Sequence, residues 1–244
     1  MRSPVARALA AVVGRRVLAG PFAGTRLDPG VESGVLMPRV LGTYEMEIRD
    51  ELLGLLARAR RRVVVNVGAA DGYYAVGLLR AGLAERVVAF ESLPRLRDAL
   101  AAGARRNGVA DRLVIEGHCT GAELGEALRE HRPGLLLLDA EGAEVELLDP
   151  AEIPDLAEVE ILAEIHPWVG AEAVTQIESA FGPTHRSCRI EARRPRAGDI
   201  SIPFYRRLAS LSTRLEARLL QERSAPTSWL SLARRELPAR PKTG

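Results

Sequence analysis

Cysteine is nearly absent from this 244-residue chain: Cys119 and Cys188 are its only two, and no Cys-x-x-Cys pair occurs. That excludes a disulfide framework and a paired-thiolate metal site, and makes a reducing cytoplasm the default compartment. Lysine is scarcer still, with Lys242 alone among arginines. With the abundant alanine, this bias reads as a GC-rich genome rather than as function. The formal net charge is only +2, without the concentrated basic stripe that nucleic-acid binding needs. Aromatics are 4% of the chain, so the aromatic-plus-basic surface of a single-strand RNA binder is missing too. Long apolar runs are also lacking. In the apolar stretch 1–20 the longest uncharged run, residues 8–14, is closed by Arg15 and Arg16. It is too short for a membrane span of about 20 residues and shows no h-region leading to a small-residue cleavage site. An amphipathic helix fits better, packed on the domain, on a partner subunit or on a membrane surface. No internal repeat is present.

What the chain does have is enough apolar content for a sizeable core: 47% hydrophobic beside 27% charged residues, which argues against global disorder. Residues 63–67 (Val-Val-Val-Asn-Val) form a β-branched run of the kind buried in parallel sheets. Further strand patterns cover 87–90, 113–115, 135–138 and 159–165. Helical spacing fills the gaps at 74–83, 94–106, 121–130 and 141–148, and again at 171–181. Residues 186–192 and 200–203 read as antiparallel edge strands, and the tail from Phe204 as helical stretches before a Pro/Arg-rich end. Upstream, 20–38 reads as loops or a small hairpin and 44–60 as a helix. The alternation predicts an α/β, Rossmann-like, mostly parallel sheet with helices on both faces, behind an N-terminal helical and loop extension. The expected division is an extension or lid over 1–60, the main domain over 61–205 and a helical tail over 206–244. The segment 20–45 is too short for a core of its own, so it is expected to cover the site.

Sheets of this kind bind ligands at the carboxyl ends of their strands, and three features fall there. The first is Asn66-Val67-Gly68-Ala69-Ala70-Asp71-Gly72-Tyr73-Tyr74, the second Glu91 with Ser92, and the third Asp139-Ala140-Glu141-Gly142. Gly68 and Gly72 let the backbone turn sharply beside a ligand. Glu91 lies 23 residues beyond Gly68, the offset at which an acidic side chain accepts hydrogen bonds from ribose hydroxyls. Together they point to an adenosine-containing ligand. A dinucleotide fingerprint would need glycine at 70 and 73, where Ala70 and Tyr73 stand, and a pyrophosphate needs that backbone. S-adenosylmethionine (SAM) has no phosphate, so the looser turn favours SAM over NAD. The plain alternative is a tight strand–helix turn with no ligand; Glu91 at the right offset argues against it. Asn107 reads as a helix C-cap, and His131 and His185 as solvated loop residues.

These segments, from Val-Val-Asn-Val-Gly-Ala-Ala-Asp-Gly-Tyr-Tyr-Ala through Ala-Phe-Glu-Ser and Leu-Asp-Ala-Glu-Gly-Ala-Glu to Ala-Glu-Ile-His-Pro, resemble the FkbM-like group of class I SAM-dependent methyltransferases. The resemblance runs from about Val63 to Trp168, and Asp-x-Glu-Gly after the fourth strand is its most specific piece. It implies a SAM-binding methyltransferase domain that methylates oxygen on small molecules or sugars. It implies that Gly68, Ala70, Gly72 and Tyr73 line the methionine end of SAM, with Asn66 and Asp71 in the same turn, and that Glu91, beside Ser92, holds the ribose. His118 and Cys119, after the third strand, then face the adenine. Asn66 stands where many methyltransferases carry an acidic residue.

Asp139 and His166 are the candidate catalytic pair, because parallel strands place their ends side by side; Pro167 biases His166 to an extended conformation. A hydroxyl acceptor must lose its proton, and imidazole suits that near neutrality. His166 as general base, oriented by Asp139, is the favoured version. The rival is a divalent ion held by Asp139, Glu164 and His166. The simpler alternatives are an N-cap role for Asp139, with Glu141 and Glu144 favouring the helix dipole, and a structural role for His166. Trp168 reads equally as substrate wall or core aromatic. The absence of an Asn/Asp-Pro-Pro-aromatic element after the fourth strand argues for oxygen over nitrogen as the methyl acceptor. The expected partner is a small-molecule or carbohydrate acceptor, with nucleic acid disfavoured and a homo-oligomer open. A non-catalytic SAM-binding scaffold is the reading from another class.

Overall fold

The computed structural model describes residues 11–30, 33–222 and 227–235. Five strands, β1 (Val63–Val67), β2 (Arg86–Phe90), β3 (Leu113–Glu116), β4 (Leu135–Leu138) and β5 (Glu160–Ile165), are joined by α3 (Tyr73–Arg80), α4 (Pro94–Asn107), α5 (Gly121–His131) and α6 (Glu144–Leu147). The helices α1 (Ser33–Leu41) and α2 (Arg49–Arg58) precede them. After β5 come α7 (Ala171–Phe181), β6 (His185–Glu191), α8 (Pro203–Ala209), α9 (Thr213–Leu220) and β7 (Ser228–Arg234). The sheet order is β3-β2-β1-β4-β5-β7-β6. Strands β1 to β5 are parallel, and β7 runs antiparallel between β5 and β6. A seven-stranded sheet in this order, with its reversed strand next to the edge, is the class I methyltransferase form of the Rossmann-like fold. The order changes direction between β1 and β4, which opens a crevice at their carboxyl ends.

Side chains alternate between the two faces of each strand. Val64, Ala89, Leu137, Leu162 and Trp229 pack against Leu41, Leu52, Leu55, Leu79 and Leu100 of α1 to α4. Val65, Val88, Leu136, Ile161 and Leu230 pack against Leu124, Leu128, Leu147 and Phe181 of α5 to α7. The N-terminal segment belongs to the first layer: Phe22, Leu27, Leu36, Met37 and Val40 are buried in it. It carries a small hairpin bridged between Arg16 and Arg26. Asn107 pins this hairpin, donating from Nδ2 to the Arg26 carbonyl (2.9 Å) and accepting the Arg26 N–H at Oδ1 (2.8 Å). The cap of α4 is instead Gly108, at φ 68°.

Four elements depart from the sequence reading. Residues 200–203 are not a strand: a 3-10 turn ends at Asp199, and Pro203 starts α8, where its missing N–H costs nothing. The tail is not helical throughout, because Ser228–Arg234 enters the sheet as β7 with both faces covered. Its Trp-Leu-Ser-Leu alternation carries that outcome, but the partner strands are distant in sequence. The helix after β4 begins at Glu144 rather than Glu141, since Glu141 (φ 51°) and Gly142 (φ 111°) are left-handed. The helix over 44–60 splits into a 3-10 turn (Met46–Ile48) and α2, after Glu45 at φ 47°. Residues 1–10 and 236–244, which hold the first half of the stretch expected as an amphipathic helix and the Pro/Arg-rich end, lie outside the described residues. Among the described residues no helix is long and apolar enough to cross a membrane.

Candidate active site

The turn after β1 is built on close backbone approach. Gly68 sits at φ 74°, and a Cβ there would lie 1.8 Å from the Asp139 carbonyl oxygen, so the exits of β1 and β4 touch. At Gly72 (φ 92°) a Cβ would meet Leu100 at 2.4 Å. Ala70 is also left-handed, at φ 49°, an unusual conformation for a residue with a side chain. Glu91 holds it there: Oε2 accepts the Ala70 N–H and Oε1 the Leu93 N–H, both at 2.8 Å. Each carboxylate oxygen keeps a further lone pair for a ligand hydroxyl. Behind the turn, one Arg39 nitrogen lies 2.8 Å from both oxygens of Asp71. The Arg39 guanidinium also lies over the rings of Tyr44 and Tyr73, 4.8 and 4.9 Å from their centroids. Tyr73 is buried edge-on among Phe22, Tyr44 and Tyr74, and burial pushes its hydroxyl pKa up. Asn66 is buried on β1; its Nδ2 reaches the Leu137 carbonyl at 3.4 Å, while its Oδ1 has no donor among the described residues.

The other end of the edge gathers acids around one imidazole. His166 follows β5 and is 6% exposed. Its Nδ1 lies 2.6 Å from Glu144 Oε1; a carboxylate only accepts, so Nδ1 carries the proton. Nε2 faces Glu141 Oε2 at 3.3 Å and Asp139 Oδ1 at 3.7 Å. The Asp139 carboxylate is partly open to solvent, but its Oδ1 is enclosed and has no hydrogen-bond donor among the described residues. Burial, then the charges of Glu164 and Glu45, push the Asp139 pKa up to about 8 against the pull of His166. Burial disfavours charge on His166, but the Glu144 hydrogen bond and the charges of Glu164, Glu144 and Asp139 outweigh it and raise the imidazole pKa. Burial disfavours charge on Glu144 too, but the same hydrogen bond, the backbone N–H groups of Glu144 and Gly142 and the charge of His166 together outweigh it and lower its pKa. Trp168 stacks on His166, centroids 4.7 Å apart and planes 22° from parallel, and is 63% exposed. Gly142 makes room for the indole, since a Cβ there would lie 2.8 Å from Trp168 Nε1.

Beyond β5 the same edge continues. Ile165 and Glu191 both pair with Ser228, so the loop after β6 starts level with His166. A cavity of about 1020 Å³ opens there between this loop, α9 and the Met46–Ile48 turn, lined among others by Arg193, Arg194, Arg196, Glu216, Gln221 and Glu222. Glu222 accepts the Glu45 N–H at 3.1 Å, and the Glu45 carboxylate in turn accepts from Tyr74 Oη. Glu45 therefore stands between the cavity and the acid–histidine cluster.

No family model matches the chain. No curated protein sequence matches it either. Among solved structures, it is similar to a precorrin-8W decarboxylase of Methanobacterium thermoautotrophicum, at 16% identity, 77% of this chain, 90% of that one and a TM-score of 0.49. An O-methyltransferase of Bacillus cereus, in complex with the demethylated cofactor SAH, shares 12% identity over 95% of this chain and 92% of its own, at a TM-score of 0.46. A putative RNA methyltransferase of Pyrococcus horikoshii shares 13% identity over 79% and 84%, at 0.47.

The structure thus brings Gly68, Ala70, Gly72 and Glu91 together, and Asp139 with His166 and Glu164. It gives Asp71 and Tyr73 to the N-terminal segment through Arg39 and the aromatic cluster. Ser92 is exposed and its carbonyl accepts from Arg97 at 2.8 Å. His118 is exposed on the loop after β3. Cys119 is buried in the second layer, where burial and Glu123 push its thiol up to about 12. Sequence reasoning took Glu144 only as a helix-dipole residue and missed Glu45; no spacing signal ties Glu45 to β4, since it arrives across the fold. His185 is buried rather than solvated.

Proposed function

We propose that this chain is a SAM-dependent methyltransferase acting on a hydroxyl of a small molecule, natural product or sugar. The observation that carries the reading is the contact at Gly68. The turn shaped for an adenosine ligand meets the Asp139 backbone, so the cofactor turn and the acid–histidine cluster form one continuous site. The residues fit SAM in two further ways. Glu91 retains lone pairs toward the ribose side of the turn, and the enclosed Asn66 Oδ1 is an acceptor awaiting a donor such as the ammonium group of a methionine. When bound, SAM supplies a methyl on a sulfonium: the acceptor oxygen's electron pair forms the O–C bond while the C–S pair returns to sulfur. The protein's task is then to orient the hydroxyl, exclude water and take away one proton. The cavity beside Glu45 offers an acceptor its room, and the exposed Trp168 ring stacked on His166 offers a flat surface beside the cluster. For the proton, His166 as a free base is weakened by its own geometry. Its raised pKa disfavours the neutral form that a general base needs.

Calorimetric titration tests the cofactor. SAM and SAH bind with micromolar Kd or better, about −8 kcal/mol, and NAD does not compete. Tight NAD binding without SAM binding would overturn the reading. Transfer of a labelled methyl to a panel of hydroxylated acceptors tests the reaction.

A further inference from the structure

The helices between β6 and β7 present a cationic surface with two large apolar side chains on it. Along α8 and the turn after it, Tyr205 and Ala209 are buried, while Phe204, Arg207 and Leu211, spaced by three and four, face out. On α9, Leu219 and Leu220 are buried, while Arg214, Ala217 and Arg218 are exposed. The two helices pack on each other, so their outer faces are neighbours. Phe204 and Leu211 are 66% and 68% exposed, apolar area whose contact with water a covering partner would remove. Residues 203–221 carry Arg206, Arg207, Arg214 and Arg218 against a single acid, Glu216. Glu216 is half-buried and turned inward, where it accepts the Ala197 N–H at 2.7 Å. Arg206 donates to the Ile200 carbonyl at 2.6 Å. The guanidinium groups of Arg207, Arg214 and Arg218 have no hydrogen-bond or ion-pair partner among the described residues. Unopposed positive charge beside exposed apolar side chains suits a partner that offers anions and an apolar phase together.

We propose that the outer face of α8 and α9 docks on an anionic lipid bilayer. Phe204 and Leu211 enter the boundary between headgroups and acyl chains, and Arg207, Arg214 and Arg218 lie against lipid phosphates. A second copy of the same face is repelled by like charge. A nucleic acid would answer the arginines but offers nothing to Leu211, an aliphatic side chain that cannot serve as a stacking platform. Headgroup anions over hydrocarbon answer both. α9 also lines the large cavity through Thr213, Ala217 and Leu220, so docking holds that cavity beside the lipid surface. The proposal stands independently of the methyltransferase reading.

Co-sedimentation of the full chain with extruded vesicles tests it, with phosphatidylcholine alone and with roughly one-third phosphatidylserine. The chain should sediment with the anionic vesicles at about 0.1 M salt. It should stay in solution with the neutral ones, and also at about 1 M salt, where charges are screened beyond about 3 Å. One arginine near such a surface contributes about 5-fold, so the combined Arg207→Gln, Arg214→Gln and Arg218→Gln should weaken binding roughly 100-fold. Phe204→Ser with Leu211→Ser should weaken it roughly 10-fold or more by removing the apolar insertion. Arg60→Gln, Arg61→Gln and Arg86→Gln make the same charge change at the opposite edge of the sheet and should cost at most about 3-fold. All these positions are exposed, so the variants leave the core intact. No sedimentation with the anionic vesicles at low salt overturns the proposal, as does an equal loss in the two arginine sets. Tight binding to a duplex RNA in place of the vesicles, lost in the Arg207 set and untouched by the Phe204 and Leu211 changes, would give this face to a phosphate backbone instead.

Discussion

At the β1–β2 end of the carboxyl edge Glu91 and Asp71 are held by donors; at the β4–β5 end two enclosed carboxylate oxygens, Asp139 Oδ1 and Glu144 Oε2, have no hydrogen-bond partner among the described residues. Glu91 is braced by two backbone amides and Asp71 by Arg39, so the turn is rigid before any ligand arrives. Asp139, Glu141, Glu144 and Glu164 instead crowd one imidazole, and burial and repulsion hold Asp139 near a pKa of about 8. The first arrangement is that of a preorganised binding surface, where little ordering remains to be done. The second stores electrostatic cost that a cation or a reacting group would relieve. Perturbed groups of this kind concentrate where chemistry is done.

The largest expected effect breaks the rigid end. Arg39→Met removes the partner of Asp71 in a pair whose side chains are only 10% and 14% exposed. Stranding one charge of a buried pair costs about 3–5 kcal/mol, and here it also loosens the aromatic cluster under the turn. Denaturant unfolding should show a loss in that range. A loss below about 1 kcal/mol, the range of a surface pair, would mean that the N-terminal segment does not hold the turn.

Next comes the reactive end. His166→Ala should lower methyl transfer by roughly 100-fold or more with SAM affinity nearly unchanged. Normal turnover in that variant would leave catalysis to positioning alone. The mirror experiment is Glu91→Ala, which should weaken SAM by about 1–3 kcal/mol, the cost of leaving buried ligand hydroxyls unpaired. It should leave transfer at saturating SAM close to wild type. If the two variants exchange phenotypes, the division of labour along the edge is wrong.

The rigid end was the more legible from sequence because its signal is local. Gly68, Gly72 and the offset to Glu91 lie within one strand–helix–strand unit, and the β-branched runs fix that unit's strands. The reactive end is assembled from α6, β4 and β5, with Glu45 arriving from before β1, and only Asp139 and His166 announce themselves at strand ends. β7 was hidden for the same reason: a seven-residue alternation does not reveal that it slots between β5 and β6. Asp71 and Tyr73 sit inside the right motif, yet their side chains answer to Arg39 and Phe22, which no motif mentions.

The smallest expected effect sharpens the contrast through two histidines. His185 is 1% exposed and fully satisfied. Its Nε2–H donates to the Val159 carbonyl at 2.9 Å, and Nδ1 lies 2.8 Å from the Thr184 hydroxyl. Burial, helped by Arg234 and opposed by the Val159 carbonyl, lowers its pKa, so it stays neutral in the fold. The unfolded chain protonates it near the ordinary value of about 6.5. Below that pH the unfolded state binds the extra proton, and this part of the stability is lost as pH falls toward the lowered folded value. His166 works in the opposite sense. Its raised pKa makes the charged form the bound one, so its contribution is complete below about pH 6.5 and fades as pH rises through the folded value. Denaturant midpoints of metal-free protein from pH 8 to pH 5 should separate the two. His185→Gln should flatten the fall on the acid side of about 6.5, and His166→Gln should flatten the fall on the alkaline side. If His185→Gln leaves the acid limb as steep as in wild type, the buried, satisfied imidazole is not what the acid limb titrates.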